Sequence, residues 1–124
     1  MKYYNVNPLG KITGDCAYRG VSFFLGVTWI KAVMDLVCHA TNKGMVNFTY
    51  VTNITSYMTK CGYPRQVAPK GMTVEGFIRD IAKPGKAYLI ALSQPRHITV
   101  VDTEGELVDT WDCSSKEVHY YWER

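Results

Sequence analysis

Gly14-Asp15-Cys16-Ala17-Tyr18-Arg19-Gly20-Val21-Ser22-Phe23-Phe24-Leu25 reads as a loop, a helix start and an amphipathic helix with a cysteine in its first turn. Asp15 suits the N-cap, where a carboxylate accepts from a backbone N–H two or three residues on. Cys16 then falls at about the first helical position. Unpaired N–H groups and the positive end of the helix dipole favour a thiolate there. Asp15 works partly against this, because a nearby carboxylate raises a thiol's pKa. An activated Cys16 therefore needs a base from elsewhere in the chain. Tyr18, Val21, Phe24 and Leu25 share one helical face, and Gly26 is placed to end the helix.

Working outward, the next three segments also carry helical spacing. Thr28 caps a second helix with Ile30, Val33, Met34 and Val37 as its core stripe and Trp29 at its edge. Residues 45–51 fit either a short strand or a loop. Thr52 or Asn53 caps a third helix, with Ile54, Tyr57, Met58 and Cys61 on one face and Gly62 at its end. Residues 62–72, with Pro64, Pro69 and Gly71, read as a loop. Thr73 caps a fourth helix containing Val74, Phe77, Ile78 and Ile81.

From Lys86 the period changes. Ala87 to Leu92 is a continuous apolar run, the pattern of a strand buried on both faces. His97-Ile98-Thr99-Val100-Val101 is a β-branched second strand, and Glu106 to Trp111 is a third. Val118 to Trp122 reads as an aromatic edge strand. Helices first and sheet second make an α+β pattern. The expectation is one domain over residues 1–124, with N-terminal helices packed on a small C-terminal antiparallel sheet.

Composition narrows the function. The 124 residues are 47% hydrophobic, enough for a real core. A net charge of +3, from 14 basic and 11 acidic residues, does not argue for nucleic-acid binding. No run of eighteen apolar residues marks a membrane span, and Lys2 to Pro8 holds no signal-peptide core. The four cysteines are too thinly spread for a disulfide framework. The expectation is a cytoplasmic protein with free thiols. Cys38 and Cys61 fall on or beside apolar helix faces, and with Cys113 they read as structural. No C-x-x-C pair exists, and adjacent Cys38 and His39 diverge on a helix, so neither metal nor cofactor is expected.

A Cys–His site needs a cysteine at a helix start, a histidine in reach and a third group that orients the histidine. Cys16 and His97 supply the first two. The orienting group is Asp109 or Asp112, and hairpin register decides between them. A three-residue loop, Thr103-Glu104-Gly105, pairs Asp102 with Glu106, sets Asp109 diagonal to His97 and puts Trp111 beside it. A two-residue loop brings Asp112 instead. Gly105 in the left-handed position favours the longer loop and Asp109. Arg19 either pairs with Asp15 one turn away or lines the cleft, as Trp111 and Asp112 could. Against this stands the reading of Cys16 as a small buried hydrophobe.

These residues resemble the papain-like cysteine peptidases, and more narrowly the compact NlpC/P60 domains. Asp15-Cys16 at a helix start resembles the Asp-Cys of NlpC/P60. His97 to Val101 is similar to the histidine strand that follows it, and Asp109-Thr110-Trp111 to papain's Asn-Ser-Trp. The chain is also similar to short proteins of bacteria and their phages with a Gly-Asp-Cys-x-x-Arg opening and an Asp-Thr-Trp-Asp-Cys ending. The resemblance implies a papain-like core and hydrolysis of a peptide, isopeptide or other amide through a Cys16 thioester. His97 would be general base and acid, and Asp109 the orienting group. The glutamine that often lies upstream of the cysteine is missing. Asn5 or Asn7 would replace it as oxyanion donor, beside the Cys16 N–H. The partner is then a peptide or protein substrate. The alternative is a non-catalytic phage or mobile-element protein that binds and blocks a host protein, in the host cytoplasm.

Overall fold

Tyr88–Leu92 (β3) is buried at all five positions, and the molecule is layered about it. In the computed structural model, which describes residues 1–45, 47–49 and 51–124, β3 lies inside a six-stranded sheet. It pairs antiparallel with Ile98–Val101 (β4) on one side and Val118–Glu123 (β6) on the other. Beyond β4 comes Leu107–Asp109 (β5), also antiparallel. Alternation along β3 then builds two cores. Leu89 and Ala91 face one side, and Tyr88, Ile90 and Leu92 face the other.

The first core is closed by Cys16–Leu25 (α1), Trp29–Asn42 (α2) and Val51–Lys60 (α3), through Val21, Phe24, Leu36, Ile54 and Met58. The second is closed by the short helix Val74–Asp80 (α4), through Val74 and Phe77. The fold is α+β, with helices on both faces of the sheet.

Local chemistry sets the helix ends. Thr28 and Thr73 cap α2 and α4, accepting from Lys31 N–H and Gly76 N–H at 3.1 Å each. Gly26 ends α1 in the left-handed conformation at φ 67°. Asp15 departs from expectation. It precedes α1, but its side chain caps no backbone N–H.

Several other expectations are corrected. The sheet is mixed, because Lys2–Tyr3 (β1) pairs parallel with β5. Residues 62–72 include a short strand, Gln66–Val67 (β2), which pairs with β6. The aromatic tail is therefore an inner strand, with β2 outside it. The core stripe of α2 is Ala32, Leu36, His39 and Ala40, while Ile30 and Met34 are exposed. Thr52 and Asn53 lie inside α3, which already runs at Val51. Asn53 is a buried tie, donating to Leu36 O at 3.1 Å and Phe48 O at 2.7 Å. Cys38 and Cys61 are exposed, and only Cys113 of the three is buried. Residues 45–51 include Val46 and Tyr50, which lie outside the described residues.

The contact that matters most for the site is between α1 and the sheet. At Gly20 a Cβ would lie 2.7 Å from Ile98 Cγ2 and 3.0 Å from Leu89 Cδ1. Only a glycine lets α1 approach this closely. Its first turn is thereby laid against the start of β4, where His97 sits.

Candidate functional site

Cys16 is the first residue of α1, is half-buried, and lines an open cleft of about 350 Å³ with Gly14, Asn47, Thr49, Arg96 and His97. The hairpin between β4 and β5 has the three-residue loop. Val101 pairs with Leu107 and Val100 with Val108, Asp102 N–H donates to Glu106 O at 2.9 Å, and Gly105 has φ 78°. That register brings Asp109 to His97, whose Nε2 lies 2.6 Å from Asp109 Oδ2. Trp111 packs on the His97 ring with centroids 5.0 Å apart. The Asp109 backbone is pinned from its other side, because its carbonyl accepts from Tyr4 N–H at 3.0 Å.

With Nε2 taken by Asp109, the imidazole has Nδ1 left for Cys16, which lines the same cleft and whose ionisation the ring favours. Burial pushes the Cys16 thiol up. The hydrogen bonds from His97 and the Ile98 N–H, and the charges of His97 and Arg19, outweigh burial and hold it below its ordinary range. Burial likewise opposes a charged His97, but Asp109 and the Cys16 sulfur together raise it to about 9. Burial also opposes ionisation of Asp109, and the His97 hydrogen bond holds its carboxyl below the usual range. The three groups thus shift one another toward thiolate, imidazolium and carboxylate in line.

Other expected residues fall elsewhere. Asn5 Nδ2 is spent on Gly10 O and Lys11 O at 3.3 and 3.1 Å, so it offers nothing to an oxyanion. Asn7 Nδ2 donates to Asp15 Oδ2 at 3.4 Å, away from the cleft. Asp112 is exposed and accepts from Ser114 N–H at 3.0 Å rather than facing His97. Trp111 shields His97 without lining the cleft. Arg19 is no cleft residue either: it is buried, and its guanidinium binds the carboxylate of Asp15 beneath Cys16. Because Asp15 is turned inward, no side-chain cap covers the first-turn N–H groups of α1. The Cys16 N–H is the donor best placed for an oxyanion.

No family model, curated protein or solved structure matches the chain. The site must therefore be read from its own chemistry.

Three cleft residues, Asn47, Thr49 and Arg96, were not singled out from the sequence. Asn47 and Thr49 come from the segment without periodicity, and only the position of Arg96 beside His97 hinted at its role. Gly20 was also missed, although a glycine inside a helix is itself a packing signal.

Two groups of side chains could hold a metal among the described residues. His97, Asp109 and Cys113 place ligand atoms within 4.8 Å of one another, as do Asp102, Glu104 and Glu106. In the first group, His97 and Asp109 are bonded to each other, and burial pushes the Cys113 thiol up to about 12, so it stays protonated. In the second, Lys2 Nζ already sits 2.6 Å from Asp102 and 3.2 Å from Glu104. A larger concavity of about 520 Å³ lies between α2 and α3, but His39, Ser56 and two lysines line it, without a thiol. No single helix among the described residues is long and apolar enough to cross a membrane.

Proposed function

We propose that the protein is a thiol hydrolase with a papain-like core, in which Cys16 is the nucleophile, His97 the general acid and base, and Asp109 the orienting group. The observation that carries this reading is the line of contacts Cys16–His97–Asp109, with the last link at 2.6 Å. The open cleft reaches the cysteine from the outer side.

The reaction follows from the charges. The Cys16 thiolate attacks the carbonyl carbon of an amide, and the carbonyl oxygen takes up negative charge beside the Cys16 N–H. His97 gives its Nδ1 proton to the leaving nitrogen as the C–N bond breaks, which leaves a thioester on Cys16. Neutral His97 then takes a proton from water, and the hydroxide adds to the thioester carbonyl. The C–S bond breaks, the carboxylic acid leaves, and the thiolate–imidazolium pair is restored. Asp109 keeps the Nε2 proton in place throughout. Activity is expected to rise as Cys16 ionises and to fall as pH passes about 9, where His97 loses its proton. The cleft, with polar Asn47 and Thr49 beside apolar Val51, Leu92 and Ile98, suits a peptide-like substrate.

The test is selective alkylation. At about pH 6, where ordinary thiols are protonated, iodoacetamide should modify Cys16 well ahead of Cys38 and Cys61. Those two are exposed, so they control for access. Equal labelling of the three would remove the basis for the hydrolase. Cys16→Ser should keep the fold and abolish hydrolysis. A biological effect that survives Cys16→Ser undiminished would point to a binding protein on the same scaffold.

A further inference from the structure

A carboxylate next to a nucleophilic cysteine is an obstacle, and here it is a buried one. Asp15 precedes Cys16 directly and is 3% exposed. Its Oδ2 accepts from Trp29 Nε1 at 2.9 Å and from Asn7 Nδ2 at 3.4 Å, which fixes the carboxylate in place. A fixed buried anion at this position should repel a thiolate. A second carboxylate, Asp109, is as deeply buried behind His97. Arg19 lies between the two. Its Nη1 binds Asp15 Oδ1, and its Nη2 is 3.6 Å from Asp109 Oδ1 and donates to Thr110 Oγ1 at 3.4 Å. Arg19 and Cys16 also border one small internal space behind the cleft.

We propose that Arg19 is a positioning residue: by bridging Asp15 and Asp109 beneath the cleft, it cancels the charge of Asp15 beside Cys16 and fixes Asp109 behind His97. The inference rests on the reading of Cys16 as a working thiolate. The charged groups that face Cys16 are Arg19 from α1 and His97 and Arg96 from the turn before β4; Asp15, its chain neighbour, is held by Arg19, and Asp109 from β5 by Arg19 and His97. In order through the interior they run Asp15, Arg19, Asp109, His97, Cys16, alternating in sign at every step. Each buried charge has an opposite neighbour, which is the condition for tolerating so many. Removing Arg19 breaks the alternation at its centre. Asp15 then acts on Cys16 without compensation, and Asp109 loses a partner on the side away from His97. A planar guanidinium meets both carboxylates at once, which a point-charge ammonium does less well.

The experiment reads the pH midpoint of Cys16 alkylation in the wild type, Arg19→Lys, Arg19→Met, Asp15→Asn and the double variant Asp15→Asn/Arg19→Met. Each is first checked for folding by circular dichroism. Arg19→Met should raise the midpoint by about one pH unit or more, which slows alkylation at about pH 6 roughly tenfold. Arg19→Lys should recover part of that loss, because the charge remains. The double variant should recover more, because the uncompensated carboxylate is gone. A merely structural Arg19 predicts the reverse, with the double variant at least as impaired as the single one. If Arg19→Met does not fold, the decision passes to Arg19→Lys, whose midpoint should lie above that of the wild type, and to the double variant, whose midpoint should fall between the two. Folded Arg19 variants with unchanged midpoints would overturn the inference while leaving the hydrolase reading intact. A wild-type Cys16 with an ordinary midpoint would overturn both.

Discussion

His97 lies 2.6 Å from Asp109 Oδ2, and His39 lies 2.7 Å from Ser56 Oγ. Both rings are held by a short hydrogen bond, and both border a concavity. Their neighbours differ in charge. Asp109 and the Cys16 sulfur raise His97 to about 9 against the effect of its burial. Burial lowers His39, and the charges of Lys60 and Lys43 push it further the same way. One ring is held toward the imidazolium beside a thiol, and the other toward the neutral form beside a hydroxyl. Burial alone would lower both, so the carboxylate and the thiolate make the difference.

The largest effect that can break this comparison is loss of the carboxylate. Asp109→Ala should slow Cys16 alkylation at about pH 6 by roughly tenfold or more, as His97 loses the bond that orients its ring toward Cys16. Asp112→Ala and His39→Gln should leave the rate unchanged. NMR titration of the rings sharpens the same contrast: His97 should titrate near about 9, and His39 below its ordinary 6.5. A slow Asp112→Ala variant, or histidines that titrate together, would remove the distinction between the two sites.

Next in size is the packing that brings Cys16 to the first ring. Gly20→Ala places a Cβ 2.7 Å from Ile98 Cγ2, so α1 or the Ile98 side chain must shift. Overpacking of this kind costs about 1–3 kcal/mol, read as a lower urea midpoint. Cys16 alkylation should slow as well, because α1 carries the cysteine. At Gly14 an added Cβ meets nothing within 4 Å, so Gly14→Ala should leave stability unchanged. Equal stability of the two variants would show that close approach at Gly20 does not hold the helix in place.

How much of this was legible in the sequence depends on which physical rule governed each residue. The β4–β5 register was readable because Gly105 suits the left-handed position that closes a three-residue loop. Once the register is fixed, the meeting of His97, Asp109 and Trp111 follows from strand geometry. The helix caps Thr28 and Thr73 were readable for a similarly local reason. The face of α2 was not. Two of its large apolar residues, Ile30 and Met34, are exposed, and the buried stripe pairs Leu36 with the small Ala32 and Ala40. Periodicity finds a stripe but does not rank two of them. The spacing of Asp15 and Arg19 announced a pair, whereas its burial came from the tertiary fold. The parallel β1 edge joins residues more than a hundred positions apart, beyond any local pattern.

The smallest expected effect lies in stability, and it tests whether Cys16 and His97 really share one proton. A raised His97 stabilises the native state below about pH 6.5, and that contribution is lost as pH rises through about 9. A lowered Cys16 does the opposite. Its contribution is complete above the ordinary thiol value of 9.0 and is lost as pH falls through the native value. Between these limits the native pair, thiolate with imidazolium, carries one proton. The unfolded pair, thiol with neutral imidazole, also carries one. The two slopes cancel, so this pair should add no pH dependence to wild-type stability between the native value of Cys16 and the value of about 9 of His97. Cys16→Ala removes the rising limb and leaves His97 raised by Asp109 alone. Its native state then holds more protons than its unfolded state, so stability should fall with pH. The slope approaches 1.4 kcal/mol per unit, roughly the value of one proton, until His97 has lost its charge. All other groups are common to both proteins, so urea denaturation of the pair across this range isolates the difference. Parallel curves for wild type and Cys16→Ala would mean that native Cys16 is a protonated thiol, and His97 would then differ from His39 without having an ion pair to serve.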